Sequence, residues 1–146
     1  MYQKYISSII STINTYTSAN AMEYFGELEN PNEGKFLKGS LPVVYIDFIE
    51  DDTSKPRTID IELALYIVHI SYSKNQKIRT NIKKEIHDLL KEIYKSLAFK
   101  TVEDSQPIQL RKLKKIYDAS TAGGYVTIYK KDISITIPNP LIGEDL

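Results

Sequence analysis

At the start of the chain Ile6, Ile9, Ile10, Ile13 and Tyr16 recur at steps of three and four, with Ser and Thr filling the positions between. Those steps fall on one side of a 3.6-residue repeat, so the pattern predicts a one-sided amphipathic helix from Tyr2 to Ser18. The stretch from Asn20 to Ser40 mixes Glu23, Glu27, Glu29 and Glu33 with Asn30-Pro31-Asn32 and Gly34. It reads as a short strand near Glu23–Leu28 followed by a loop with room for one helical turn. Leu41-Pro42-Val43-Val44-Tyr45-Ile46-Asp47-Phe48-Ile49 is β-branched and aromatic, entered through Gly39 and Pro42. This is a buried strand with proline tolerated at its start. Glu50 to Pro56 reads as a solvated loop.

The period then becomes two. Ile59, Ile61, Leu63, Leu65 and Ile67 alternate on one face, while Ala64, Tyr66, Val68, Ile70 and Tyr72 take over the other. A strand over Ile59–Tyr72 therefore has one buried side in its first half and two in its second, and it is long enough to overrun a small core. The clearest helical stripe follows: Ile78, Ile82, Ile86, Leu89, Leu90, Ile93 and Leu97, on a helix over Lys77–Leu97 that must lie on a sheet. Pro107 to Asp118 reads as a strand whose alternation slips between Leu110 and Leu113, the mark of a β-bulge. Gly123-Gly124 supplies a turn, and Tyr125 to Ile137 alternates again, which makes a hairpin. The order predicts one α+β domain over 1–146: a mainly antiparallel sheet of four to five strands with two helices packed on one face.

Composition fits an ordinary globular domain. The 146 residues are 42% hydrophobic and 26% charged. Nineteen Lys+Arg balance nineteen Asp+Glu, so nothing in the sum favours nucleic acid or an anionic membrane. Zero net charge also removes colloidal repulsion and so favours self-association. The absence of Cys excludes disulfides, thiolate zinc sites and cysteine nucleophiles together. The N-terminus lacks a signal-peptide core, and the longest apolar run, Ala64 to Val68, is far too short to span a bilayer. A soluble, cytoplasmic chain is expected.

The residues offer little sign of catalytic chemistry. Gly123-Gly124 lies between strands, not before a helix, and no phosphate-loop motif occurs. His69 in the long strand and His87 on the long helix have no metal-ligand spacing around them. Asp47, Asp60 and Glu62 could converge as in metal-dependent nucleases, but position 64, where such sites place a Lys, is Ala. Asp60 and Glu62 read as the solvated face of a half-buried strand. No Gly-x-Ser-x-Gly elbow is present. The expectation is a non-enzyme with no catalytic, cofactor-binding or metal-ligating residues and no cofactor.

Charge is unevenly spread. Residues 1–50 hold three Lys/Arg and six acids, a net of −3, and residues 74–118 hold twelve and six, a net of +6. Segments of opposite sign on different faces would let copies meet head to tail, a contact that closes into a ring when the rotation permits. The candidate interface residues are Tyr125, Tyr129 and Lys131 on the hairpin, Lys83 and Lys84 on the basic helix face, and Glu27 and Glu29 on the acidic segment. The overrunning strands and eleven Tyr suit intersubunit contact.

The succession of elements resembles the tail terminator proteins of long-tailed phages and phage-tail-like contractile particles, especially the Mu-like branch. The resemblance rests on the N-terminal amphipathic helix, the irregular acidic stretch, the strand entry Leu41-Pro42-Val43-Val44-Tyr45, the strand Ile59–Tyr72, the helix Lys77–Leu97 and the hairpin Ile108–Tyr117 with Tyr125–Ile137. It implies a homohexameric ring on the end of a finished tail tube, which stops polymerisation and docks the head, or closes a headless particle such as a tailocin. The implied partners are other copies of the chain, the tail tube protein, the sheath protein if the tail contracts, and a head–tail connector in a true phage. Membrane and sequence-specific nucleic acid are not among them. The implied location is the host cytoplasm during assembly, then the virion or contractile injection particle. Two alternatives stand beside it: a head–tail connector or tail-completion protein, and a small metal-dependent hydrolase or nuclease built on Asp47, Asp60 and Glu62. A dimeric ligand-binding module on a helix-covered sheet is a third.

Overall fold

A computed structural model of the protein describes residues 2–29, 42–71, 76–121 and 124–140. Its elements run α1 (Gln3–Tyr16), β1 (Asn20–Glu23), β2 (Val43–Asp52), β3 (Thr58–Ser71), α2 (Gln76–Leu97), β4 (Gln109–Thr121) and β5 (Gly124–Pro138). The five strands form one sheet in the order β1-β2-β3-β5-β4. β1 runs parallel to β2, and every other neighbouring pair is antiparallel. The fold is therefore α+β, as the alternation of patterns predicts. Among the described residues no helix is long and apolar enough to cross a membrane.

The period of two sorts the sheet into faces. Ile59, Ile61, Leu63, Leu65 and Ile67 of β3 join Val44 and Ile46 of β2 and Ile133, Ile135 and Ile137 of β5 in one core. Tyr5, Ile6, Ile9 and Ile13 of α1 and Ile86, Leu89, Leu90, Ile93 and Leu97 of α2 pack into that same core. All the described buried apolar side chains of the two helices lie there. Each such Leu or Ile taken from water stabilises the fold by about 1.5–3 kcal/mol. The opposite face carries a smaller cluster of Val43, Tyr45, Val68, Ile70, Val126 and Ile128, against which Met22, Tyr24, Leu28, Tyr66 and Tyr117 rest. This is why the second half of β3 is apolar on both sides.

Several boundaries differ from the sequence reading. The first helix starts at Gln3 and stops at Tyr16, inside the expected Tyr2–Ser18. The short strand expected near Glu23–Leu28 lies at Asn20–Glu23 instead. There Ala21 enters the helix-side core and Met22 the other, and Asn14 clamps the Ala21 backbone through both its amide atoms. β2 does not end at Ile49. It continues through Glu50, Asp51 and Asp52 after a bulge between Phe48 and Glu50, because β3 supplies a partner backbone that overrides the poor strand preference of acidic residues. The bulge expected in β4 is present between Leu110 and Leu113, with a second irregularity between Lys115 and Tyr117. Leu41, Tyr72, Gly123 and the Asn30–Glu33 half of the acidic segment lie outside the described residues, as do the side chains of Ile78 and Ile82.

Candidate functional site

Four of the expected interface residues meet in the layer between α2 and the hairpin. Asp118 of β4 is the hub. Its Oδ2 accepts from Lys83 Nζ at 2.7 Å and from Lys115 Nζ at 3.2 Å, and its Oδ1 accepts from Thr127 Oγ1 at 2.9 Å. The Lys83 ammonium also lies over the Tyr125 ring at 5.3 Å. Burial raises the Asp118 pKa, but hydrogen bonds from Lys83, Tyr125, Thr127 and Lys115 outweigh it and hold the carboxyl at about 2. The Lys83 pKa is raised, chiefly by its hydrogen bond to Asp118.

Further along β5, the Tyr129 hydroxyl lies 3.1 Å from His87 Nε2. Lys131 Nζ sits 4.5 Å from the centre of the Tyr94 ring and donates to the Arg111 carbonyl. Tyr129 is 9% exposed and Lys131 7% exposed. Both are engaged in contacts within the chain and have little exposed surface. Burial lowers the Lys131 pKa. Lys84 stands exposed on α2, Glu29 is exposed, and Glu27 is partly exposed with its carboxylate accepting from the Phe25 backbone N–H. Asp118 has little prominence in the sequence. Its signal was one acid in a strand otherwise basic from Arg111 to Lys115.

The carboxylates of the hydrolase alternative lie on the open face of the sheet. Register sets Glu50 opposite Glu62 and Asp52 opposite Asp60. With Lys55 and Arg111 they line a shallow depression of about 440 Å³. Asp60 accepts from Thr136 Oγ1 at 2.6 Å and Lys55 Nζ at 3.1 Å, and these bonds lower its pKa. Glu62 is pushed the other way, first by burial and then by the Glu50 carboxylate beside it. Asp47, whose pKa burial raises, stands opposite Ala64 and does not line the depression. Among the described residues, no group of three or more His, Cys, Asp or Glu side chains is placed to hold a metal ion. His69 donates from Nδ1 to the Ile70 carbonyl at 2.9 Å, and burial lowers its pKa.

The two outer margins of the sheet differ in sign. β4 is the last strand on one side and presents Arg111, Lys112, Lys114 and Lys115. On the other side, among the described residues, β1 pairs with β2 from Val43 to Ile46. Asp47, Glu50, Asp51 and Asp52 follow on the uncovered part of β2, among the described residues. The exposed large apolar residues include Phe48 and Ile49 on this acidic margin and Leu113 and Ile116 on the basic one. Phe99, 82% exposed, stands at the end of α2 beside an apolar hollow lined by Ala98, Ile108 and Leu110. No family model matches the chain, and no curated protein matches it in sequence.

Proposed function

We propose that the protein is a structural subunit of a phage-type tail, forming a homohexameric ring that caps the end of the tail tube, stops its growth and docks the head or closes a headless particle. The observation that carries this reading is the pair of oppositely charged sheet margins on one small α+β domain. A subunit with a cationic strand edge on one side and an anionic one on the other is suited to a head-to-tail contact, and such contacts close into rings or run on as filaments. The succession of elements, similar to that of tail terminators, favours the ring on a tube end. In this reading the work is done by surface complementarity, with no catalytic step and no cofactor. The partners are further copies of the chain, the tail tube protein, the sheath protein where the tail contracts, and a head–tail connector in a true phage. The ring assembles in the host cytoplasm and ends in the particle.

The test is to polymerise purified tail tube protein with and without this protein and image the tubes. Tubes that are shorter and carry a density at one end are the expected result. Tubes of unchanged length with bare ends contradict the terminator reading, and binding to the head vertex alone moves the ring to the connector layer.

A further inference from the structure

Within the sheet the strand directions alternate from β2 through β3 and β5 to β4, so β2 and β4 run in opposite directions. A second copy placed in the plane of the sheet, with its helices on the same side, therefore brings its β2 antiparallel to the β4 of the first. Both edges are open to this among the described residues: nothing pairs beyond β4, and β1 and the Tyr24 N–H reach no further along β2 than Ile46. An unpaired strand edge is a row of backbone donors and acceptors ready for another strand.

We infer that copies of this chain join by strand addition, the Arg111–Ile116 edge of β4 pairing with the Asp47–Asp52 edge of β2 in the next copy. This rests on the reading of the protein as a self-assembling ring and names the surfaces that meet. Charge selects the pairing. Two β4 edges would set cation against cation, and two β2 edges would set acid against acid. Only β4 against β2 brings opposite signs together, so the contact is heterologous by construction. Leu113 and Ile116 on one edge and Phe48 and Ile49 on the other supply exposed apolar surface at the same place. The acidic edge is braced from behind, since Tyr2 stacks on Phe48 at a ring separation of 5.1 Å and donates its hydroxyl to Asp51. Six residues of strand give a junction of at most about 20 Å, shortened where the irregularities at Leu110–Leu113 and Phe48–Glu50 interrupt the edges.

The stagger also follows from the register. Leu113 sits in one row with Lys131, Leu65 and Ile46. In the next copy that level of β2 is already covered by β1. The neighbour must be displaced along the strand for β4 to reach Asp47–Asp52. A constant displacement at each junction tilts the strands to the ring axis, as shear does in a closed barrel.

The experiment uses two charge-reversed forms of the full chain, Lys112→Glu/Lys114→Glu and Glu50→Lys/Asp52→Lys, with circular dichroism to establish that each folds. Sedimentation is measured for the wild type, for each variant alone and for an equimolar mixture. The expected result is loss of the assembled species in each variant alone and its return on mixing. The native edges of the two variants still fit one another, and the two reversed edges also carry opposite signs. If the wild type assembles and the variants alone assemble equally well, strand addition at these edges is overturned while the ring reading stands. Variants that stay apart when mixed also overturn it. A wild type that is monomeric throughout contradicts both.

Discussion

Lys83 Nζ on α2 donates to Asp118 Oδ2 on β4 across 2.7 Å, joining the long helix to the outermost strand of the sheet. Among the described residues β4 lies at the margin of the sheet beside β5, and this bond holds the strand from a second direction. Asp118 also takes up Lys115, which leaves Arg111, Lys112 and Lys114 to carry the rest of the charge on β4.

That geometry sets an acid limit. The Asp118 carboxyl titrates at about 2 in the folded chain against an unfolded value of 3.8. A depressed carboxyl contributes stability above its unfolded pKa and loses it as pH falls through the folded one. The contribution, about 2 kcal/mol, is complete above about pH 4 and fades toward pH 2. Asp118→Asn is expected to lower stability at pH 7 by about 1–3 kcal/mol and to flatten the acid limb of the urea-midpoint profile. An unchanged acid limb would remove Asp118 as its cause.

The helix-side core is expected to be unforgiving. Ile93 is fully buried between α2 and the sheet. Ile93→Ala should cost about 2–5 kcal/mol by equilibrium urea unfolding, with the slope of the transition unchanged. A loss well under 1 kcal/mol would mean that α2 is not packed on the sheet as described.

Phe99 follows α2 at φ +59°, a conformation in which a side chain is strained and glycine is not. Its ring gains little from burial. Phe99→Gly is expected to raise the unfolding free energy by about 1 kcal/mol. Destabilisation instead would show that the ring's contact with the apolar hollow at Ala98, Ile108 and Leu110 outweighs the backbone strain.

Glu50 and Glu62 face one another across β2 and β3, and burial together with the Glu50 carboxylate holds the Glu62 pKa above its ordinary value. A raised carboxyl favours the protonated folded state, so its penalty appears as pH rises through the folded pKa. Glu50→Gln should bring the Glu62 titration down in carbon-detected NMR and reduce the loss of stability with rising pH in that range. A Glu62 titration that does not move would assign its shift to burial alone.

Most of the fold was legible because its signals are local. Period-three-and-four stripes placed both helices, and the slip between Leu110 and Leu113 located a bulge. What was not legible depends on partners distant in sequence. β1 is a strand because Val43–Ile46 lies beside Asn20–Glu23, and Glu50–Asp52 stays in β2 because Asp60–Glu62 pairs with it. Neither shows in the residues themselves. The uneven spread of charge is readable, but the acidic margin of the sheet, Asp47 to Asp52, only partly coincides with the acidic first third, and Glu27 and Glu29 lie off it. Charge and residue type point to Lys83 and Tyr125 as interface residues, whereas the fold turns both toward Asp118.

Copies that assemble head to tail through oppositely charged edges form a species whose mass depends on concentration and salt. The most direct measurement is the sedimentation-derived mass of the wild-type chain over a concentration series at low and high salt. The expected result is a discrete species of six subunits that grows with concentration and recedes as salt screens the edges. A strict monomer at every concentration and salt, also in the presence of tail tubes, would contradict the account.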